Sequence, residues 1–93
     1  MSDRSEADFL IMRIECAEQE IDYWFTLLES ENKGYKQELK NYARQREKGI
    51  DTTARETTSA EQHKRTVAEI KEIIEIYQAE REKTLNSLEQ LFD

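Results

Sequence analysis

The chain has 93 residues, of which 38% are charged and only 37% are hydrophobic, and its formal net charge is −7. It contains no proline and two glycines. A chain of this length forms one domain at most, and so few turn-forming residues exclude β-sandwich and α/β folds, which change direction at short intervals. The sequence therefore predicts a single all-α domain over residues 1–93, built from long helices.

Cysteine usage and hydropathy indicate where the protein works. A lone cysteine, Cys16, rules out an internal disulfide framework and fits a reducing compartment. No apolar run approaches the roughly 18 residues that a membrane span needs, and residues 1–6 do not resemble a signal peptide. We therefore expect a cytoplasmic protein that makes no contact with membranes.

The first predicted helix begins near Ser5, which forms a capping pair with Asp8 ahead of an apolar run. From there apolar residues recur at alternating spacings of four and three, the a/d pattern of a coiled-coil seam. The seam residues are Leu10, Ile14, Ala17, Ile21, Trp24 and Leu28. Because the same phase continues to Tyr42, we expect one helix over about residues 5–48, with a break at residues 32–34 as the alternative.

Residues 49–53 carry the strongest turn signal. Gly49 suits the left-handed position that follows a helix, and Thr53 forms a capping box with Glu56. Competing boxes are Thr58 with Glu61 and Ser59 with Gln62. The second helix is predicted over about residues 54–92, and its seam residues are Ala60, His63, Val67, Ile70, Ile74, Tyr77, Arg81, Thr84, Leu88 and Leu91.

Folding the chain back near residue 51 brings the two seams together. The expected pairs include Trp24 with Tyr77 or Gln78, Tyr35 with Val67 and Ala17 with Leu85. Large side chains then face apolar partners along almost the whole length, which predicts a long antiparallel, coiled-coil-like helical hairpin. Three polar residues, Glu31, Glu38 and Arg81, interrupt the seam and are expected to find partners or to reach solvent.

Apolar surface near the middle of the hairpin exceeds what one seam covers. Tyr23, Trp24 and Phe25 are consecutive, so they point in directions about 100° apart. We define an aromatic belt by the residues expected to make self-association or partner contacts: Tyr23, Trp24, Phe25, Leu27, Ile73, Ile76 and Tyr77. Covering the belt favours a homo-oligomer, most simply a dimer that forms a four-helix bundle, and the same residues suit contact with another protein.

A row of basic residues supports a different function. Lys36, Lys40, Arg44 and Lys48 recur every four residues on an outward-facing side of the first helix. Residues 34–65 carry eight bases and five acids, whereas both flanking segments are acidic. The row predicts phosphate contacts and, as the alternative function, a nucleic-acid-binding regulator. The overall acidity opposes this alternative, because a negative protein repels nucleic acid.

No residue pattern indicates catalysis, a cofactor or a metal site. His63 stands alone, and the chain has no Glu-x-x-His pair, glycine-rich phosphate loop or cysteine cluster. We therefore expect neither an enzyme nor a cofactor. The sequence favours a non-enzymatic protein-interaction module, an adaptor, chaperone or inhibitor, that self-associates through the belt and binds another protein.

Overall fold

Two long helices account for nearly the whole chain. The computed structural model describes residues 2–92, with side chains described for residues 4–92. Helix α1 spans Ser2–Glu47 and helix α2 spans Thr53–Leu91. They lie side by side as an extended hairpin measuring 73 × 15 × 14 Å, which confirms the predicted fold.

Helix α1 starts earlier than expected and is continuous through its middle. It begins at Ser2, so Ser5 lies inside the helix and does not cap it. No helix-breaking residue precedes Ser5, and the helical geometry therefore extends back to Ser2. Gly34 also lies within the helix, with open space around the position that a β-carbon would take. The alternative break at residues 32–34 does not occur.

Gly49 sets the turn between the helices. Its φ of +82° lies in the left-handed region, which glycine adopts without the steric cost of a β-carbon. The Gly49 N–H donates to the Arg46 carbonyl at 2.9 Å, and the Ile50 N–H donates to the Gln45 carbonyl at 3.0 Å. These two bonds form a Schellman motif, which satisfies carbonyl groups that the end of a helix leaves unpaired. The role predicted for Gly49 is confirmed.

Helix α2 begins at Thr53, one residue earlier than expected, and the Thr52 side chain at its N-cap position makes no hydrogen bond to a backbone N–H. Thr52 is fully buried, and its hydroxyl donates to the Glu56 carboxylate at 2.8 Å. The Asp51 carboxylate accepts a hydrogen bond from the Thr53 N–H at 3.0 Å, which lowers the pKa of Asp51. Because Asp51 satisfies that N–H, Thr53 is already helical, and the box predicted from Thr53 and Glu56 does not form. Both competing starts lie inside α2.

The seam between the helices follows the predicted positions along most of its length. The most deeply buried side chains facing it are Ala7, Ile14, Ala17 and Tyr42 of α1 and Ile70, Ile74 and Thr84 of α2. Ala60 is an exception, because it is exposed and its neighbour Ser59 is the less exposed of the two. Burial keeps alternating by three and four residues, so residues seven apart hold the same position relative to the seam.

The pairing of the helices differs from the predicted one away from the turn. Tyr35 stacks on His63, with ring centroids 4.0 Å apart, one helical turn from its predicted partner Val67. Ala17 lines a groove with Tyr77 and not with Leu85. The shift amounts to one or two helical turns, and a three–four repeat presents the same apolar side after each such shift. The observed pairing includes specific contacts, such as the Tyr35–His63 stack, that periodicity does not encode.

The polar residues that interrupt the seam each contact the opposite helix. The contacts are Glu31 with His63 at 3.2 Å, Glu38 with Ser59 at 2.6 Å, and Arg81 with Glu18 at 3.2 Å. The expectation that these residues find partners is confirmed. Such contacts reduce the cost of placing polar groups at the seam, and they add directional constraints that apolar packing lacks.

Candidate interaction surfaces

Two ion pairs cross the seam on opposite sides of the hairpin. Arg13 pairs with Glu80 at 3.1 Å, and Glu18 pairs with Arg81 at 3.2 Å. Glu80 and Arg81 are consecutive, so their side chains point about 100° apart around α2. Each pair therefore closes a different side of the seam, and we call these the Arg13 side and the Glu18 side.

Apolar side chains gather on the Arg13 side of both helices. On α2, Ile73 and Ile76 precede Glu80 by seven and four residues, which places them on its side. On α1, Leu27 follows Arg13 by two heptads and takes the same position relative to the seam. The full set, which we call the Tyr23–Ile76 face, comprises Phe9, Met12, Cys16, Tyr23, Leu27, Ile73 and Ile76.

Exposure is high at the centre of this face. Tyr23 is 57% exposed and Ile76 is 59% exposed. A groove of about 460 Å³ beside them is walled mainly by Trp24, Leu27, Ile70, Glu69 and Ile73. A second groove, of about 280 Å³, lies nearer the chain ends and is lined mainly by Phe9, Met12, Cys16, Ala17, Glu20 and Tyr77. The face is therefore a shallow apolar surface with two open grooves.

Two residues of the predicted belt lie in the hairpin's own seam. Trp24 and Tyr77 are half-buried between the helices and form walls of the two grooves. The Trp24 indole N–H donates to the Glu20 carboxylate at 3.3 Å, and its ring meets Tyr23 edge-on with centroids 5.4 Å apart. Only the exposed parts of Trp24 and Tyr77 are available to a partner.

Phe25 lies on the opposite side of the hairpin from Tyr23. It follows Glu18 by seven residues, and Ile11 precedes Glu18 by seven, so both lie on the Glu18 side. Phe25 is 44% exposed and Ile11 is 42% exposed. The predicted belt is consequently divided into a larger surface on the Arg13 side and a smaller one on the Glu18 side.

Sequence reasoning missed the apolar residues nearest the chain ends. Phe9 and Met12 are each 54% exposed, and they extend the Tyr23–Ile76 face beyond the predicted belt. A signal for them was present, because Phe9, Cys16 and Tyr23 recur every seven residues parallel to the seam. This second row faces outward and lies outside the a/d pattern that defines the seam.

The basic row is fully available to solvent. Lys36, Lys40, Arg44 and Lys48 are all exposed, and among the described side chains none of them lies within 4.0 Å of a carboxylate. Two other basic residues near the turn are engaged within the hairpin. Arg46 lies 3.5 Å from Glu56, and Arg55 donates to Gln45 at 2.9 Å while its guanidinium lies 5.9 Å from the Tyr42 ring centre.

A polar cluster near the turn joins the helices. The hydroxyls of Tyr42 and Ser59 lie 2.9 Å and 2.6 Å from one Glu38 carboxylate oxygen and 2.7 Å from each other. The Ser59 hydroxyl first, and the Tyr42 hydroxyl second, hold the pKa of Glu38 below its ordinary value. His63 lies half-buried between Glu31 and the stacked Tyr35 ring. These contacts occupy the polar groups with one another, which fits a structural role.

Among residues 4–92, no group of three or more His, Cys, Asp or Glu side chains is arranged to hold a metal ion. Cys16 is an exposed free thiol. Neither helix, within residues 2–92, has a stretch long and apolar enough to cross a lipid bilayer. No protein-family model, curated protein or solved structure shows significant similarity to this chain.

Proposed function

We propose that this protein is a non-enzymatic protein-interaction module that self-associates through the Tyr23–Ile76 face and binds another protein as an adaptor, chaperone or inhibitor. One observation carries the proposal: exposed apolar side chains of both helices gather on one side of the hairpin. Tyr23 and Ile76 stay 57% and 59% exposed beside half-buried Leu27 and Ile73. Exposed apolar side chains gathered on one side of a protein are typical of interaction sites.

A second copy of the chain covers this face most simply. Two hairpins stacked through their Tyr23–Ile76 faces form a four-helix bundle. Covering the exposed half of a side chain such as Ile76 contributes about 1 kcal/mol, roughly half the value for complete burial. In a two-fold symmetric pair every residue of the face is covered in both copies, so each contribution counts twice. The expected assembly is a dimer.

The Glu18 side remains open in such a dimer and is the surface for a different protein. Ile11 and Phe25 flank the Glu18–Arg81 ion pair there, and both are more than two-fifths exposed. An exposed aromatic ring beside a charged rim resembles the anchor residues of protein interfaces. A cytoplasmic location suits this function, because the exposed Cys16 thiol stays reduced in that compartment.

Paired glutamine variants test the proposal. Tyr23→Gln with Ile76→Gln should convert the dimer to single chains while helical content is retained, because glutamine is polar, uncharged and a good helix former. Ile11→Gln with Phe25→Gln is the matched control and should leave the dimer intact. Light scattering gives the mass and circular dichroism gives the helicity. Equal effects of the two double variants would contradict the assignment of the face.

The hetero-interaction is tested with the same two double variants. The wild-type protein, immobilised, should retain a protein from its native cell extract that the variant carrying Ile11→Gln and Phe25→Gln loses. The variant carrying Tyr23→Gln and Ile76→Gln should retain it, because the Glu18 side is unchanged. Loss from the second variant alone would move the partner site to the Tyr23–Ile76 face.

Nucleic-acid binding is the second candidate function. The observation that favours it is the exposed basic row of Lys36, Lys40, Arg44 and Lys48. Among the side chains of residues 4–92, no carboxylate lies within ion-pair distance of these four residues. Binding through the row would weaken steeply with salt, by about 0.7 to 0.9 logarithmic units in affinity per phosphate for each tenfold rise in salt. Lys40→Glu with Arg44→Glu would abolish it and leave self-association unchanged. Retained RNA or DNA binding in this variant would reject the row as the site.

A further inference from the structure

On the Tyr23–Ile76 face, one row of α2 side chains has an acidic residue at one end, a basic residue at the other and an isoleucine midway between them. Glu69, Ile76 and Lys83 are seven residues apart and so hold the same position relative to the seam. Glu69 lines the groove that contains Leu27, and Lys83 lines a groove with Arg13, so both ends of the row open on the Arg13 side. The row therefore reads acidic, apolar, basic along one side of the hairpin.

This arrangement is complementary to itself when reversed. Seven residues correspond to about 10.5 Å along a helix, so Glu69 and Lys83 lie about that far on either side of Ile76. An antiparallel second copy, related by a two-fold axis through Ile76, brings Glu69 of each copy against Lys83 of the other. A copy whose α2 lies parallel and directly against this α2 brings Glu69 against Glu69 and Lys83 against Lys83, which is repulsive. Among the described side chains neither residue has an ion-pair partner within its own hairpin.

We propose that the occupant of the Tyr23–Ile76 face is a second copy of this chain, docked antiparallel with the two-fold axis at Ile76. The inference rests on the self-association proposed above and specifies its geometry. The two-fold axis lies in the plane of the interface and perpendicular to the helices, so α2 faces α2 and α1 faces α1. Ile76 of one copy packs against Ile76 of the other, with a Glu69–Lys83 pair on each side.

The same axis gives α1 an apolar pairing. Ala17 and Glu20 line one groove with Tyr77 and Glu80, so the axis through Ile76 crosses α1 next to Glu20. Cys16 and Tyr23 lie four and three residues from Glu20 on opposite sides, and they are seven residues apart, so they share one position relative to the seam. Reversal therefore places Cys16 against Tyr23 of the second copy. The residue pairings of α1 and of α2 are therefore both consistent with one two-fold axis.

A site-specific disulfide tests the axis. In a chain carrying Cys16→Ser, Ile76→Cys should form a dimer-linking disulfide under mild oxidation, because only a residue on the axis meets its own copy. The matched control is Gln78→Cys, which is exposed on the Glu18 side and should remain uncrosslinked. Non-reducing electrophoresis reads the result, and sedimentation equilibrium of both reduced proteins confirms that they still associate.

Charge reversal tests the direction of the two chains. Glu69→Lys and Lys83→Glu should each weaken the dimer roughly 3- to 10-fold, because each replaces two attractive contacts by two repulsive ones. The double variant should regain wild-type affinity, since it restores opposite charges at both contacts. A parallel dimer predicts no such recovery, because every variant keeps like charges facing each other.

The outcomes separate this inference from the function on which it rests. A protein that dimerises but shows no Ile76 crosslink, or no recovery in the double variant, overturns the antiparallel axis and leaves self-association standing. A protein that sediments as single chains throughout overturns both, and the face then belongs to a foreign partner. Crosslinking at Ile76 together with recovery in the double variant supports the proposed geometry.

Discussion

At the residue scale, Glu38 links the two helices near the turn. Its carboxylate accepts hydrogen bonds from Ser59 and Tyr42, and the pKa of Glu38 is lowered chiefly by the Ser59 bond. A carboxyl whose pKa is lower in the folded state than in the unfolded state stabilises the fold above its unfolded pKa. That contribution is lost as the pH falls from the ordinary value of 4.5 through the lowered pKa.

Replacement of Glu38 by glutamine should therefore reduce the acid sensitivity of folding. Glu38→Gln should lower the free energy of unfolding at about pH 7, and the difference from wild type should shrink at about pH 3. Glu61→Gln removes one carboxylate from an exposed residue of α2 near the same end and serves as the matched control. Urea denaturation at both pH values measures the effect. A pH-independent difference for Glu38→Gln would contradict the role assigned to its charge.

Glu20 provides a second prediction at this scale, because it lies next to the proposed two-fold axis. Two copies would bring two Glu20 carboxylates close together, and like charges at that position oppose association. Glu20→Gln should therefore tighten the dimer several-fold, and the amide oxygen can still accept the Trp24 indole hydrogen bond. Glu75→Gln removes the same charge from another exposed residue and should have little effect on the dimer dissociation constant, as measured by sedimentation equilibrium. A weaker Glu20→Gln dimer would argue against the axis.

At the element scale, the two glycines have opposite conformational roles. Gly49 holds φ at +82°, where a β-carbon costs roughly 1–2 kcal/mol. Gly34 is helical, and a methyl group there would meet no neighbour. Gly49→Ala should therefore destabilise the hairpin by about that amount, whereas Gly34→Ala should stabilise it by up to about 1 kcal/mol. Thermal and urea unfolding measure both, and stabilisation by Gly49→Ala would contradict the turn geometry.

The helices themselves were predictable from their apolar repeat, but their pairing was not. The spacing of Leu10, Ile14 and Ala17 identified the seam, and Gly49 identified the turn, because both depend on local sequence alone. The pairing depends on which turn of α2 lies against each turn of α1. The repeat is nearly unchanged by a shift of one turn, so the Tyr35–His63 stack could not be read from it.

At the scale of the whole molecule, the candidate surface was only partly predictable. An excess of apolar surface followed from the consecutive Tyr23, Trp24 and Phe25, since residues about 100° apart cannot share one seam. The heptad position of each residue gives its side on its own helix, whereas the join between a side of α1 and a side of α2 is seen in contacts between the helices. The ion pairs Arg13–Glu80 and Glu18–Arg81 define those sides and separate Tyr23 from Phe25.

Self-association of the unaltered chain is the central claim, and sedimentation equilibrium tests it most directly. We predict that the apparent mass rises with concentration and levels off at twice the mass of one chain within the micromolar range. It should stay there with rising salt, because the contact is mainly apolar. A protein that keeps the mass of a single chain up to about millimolar concentration, with Tyr23 and Ile76 still exposed, would contradict the account.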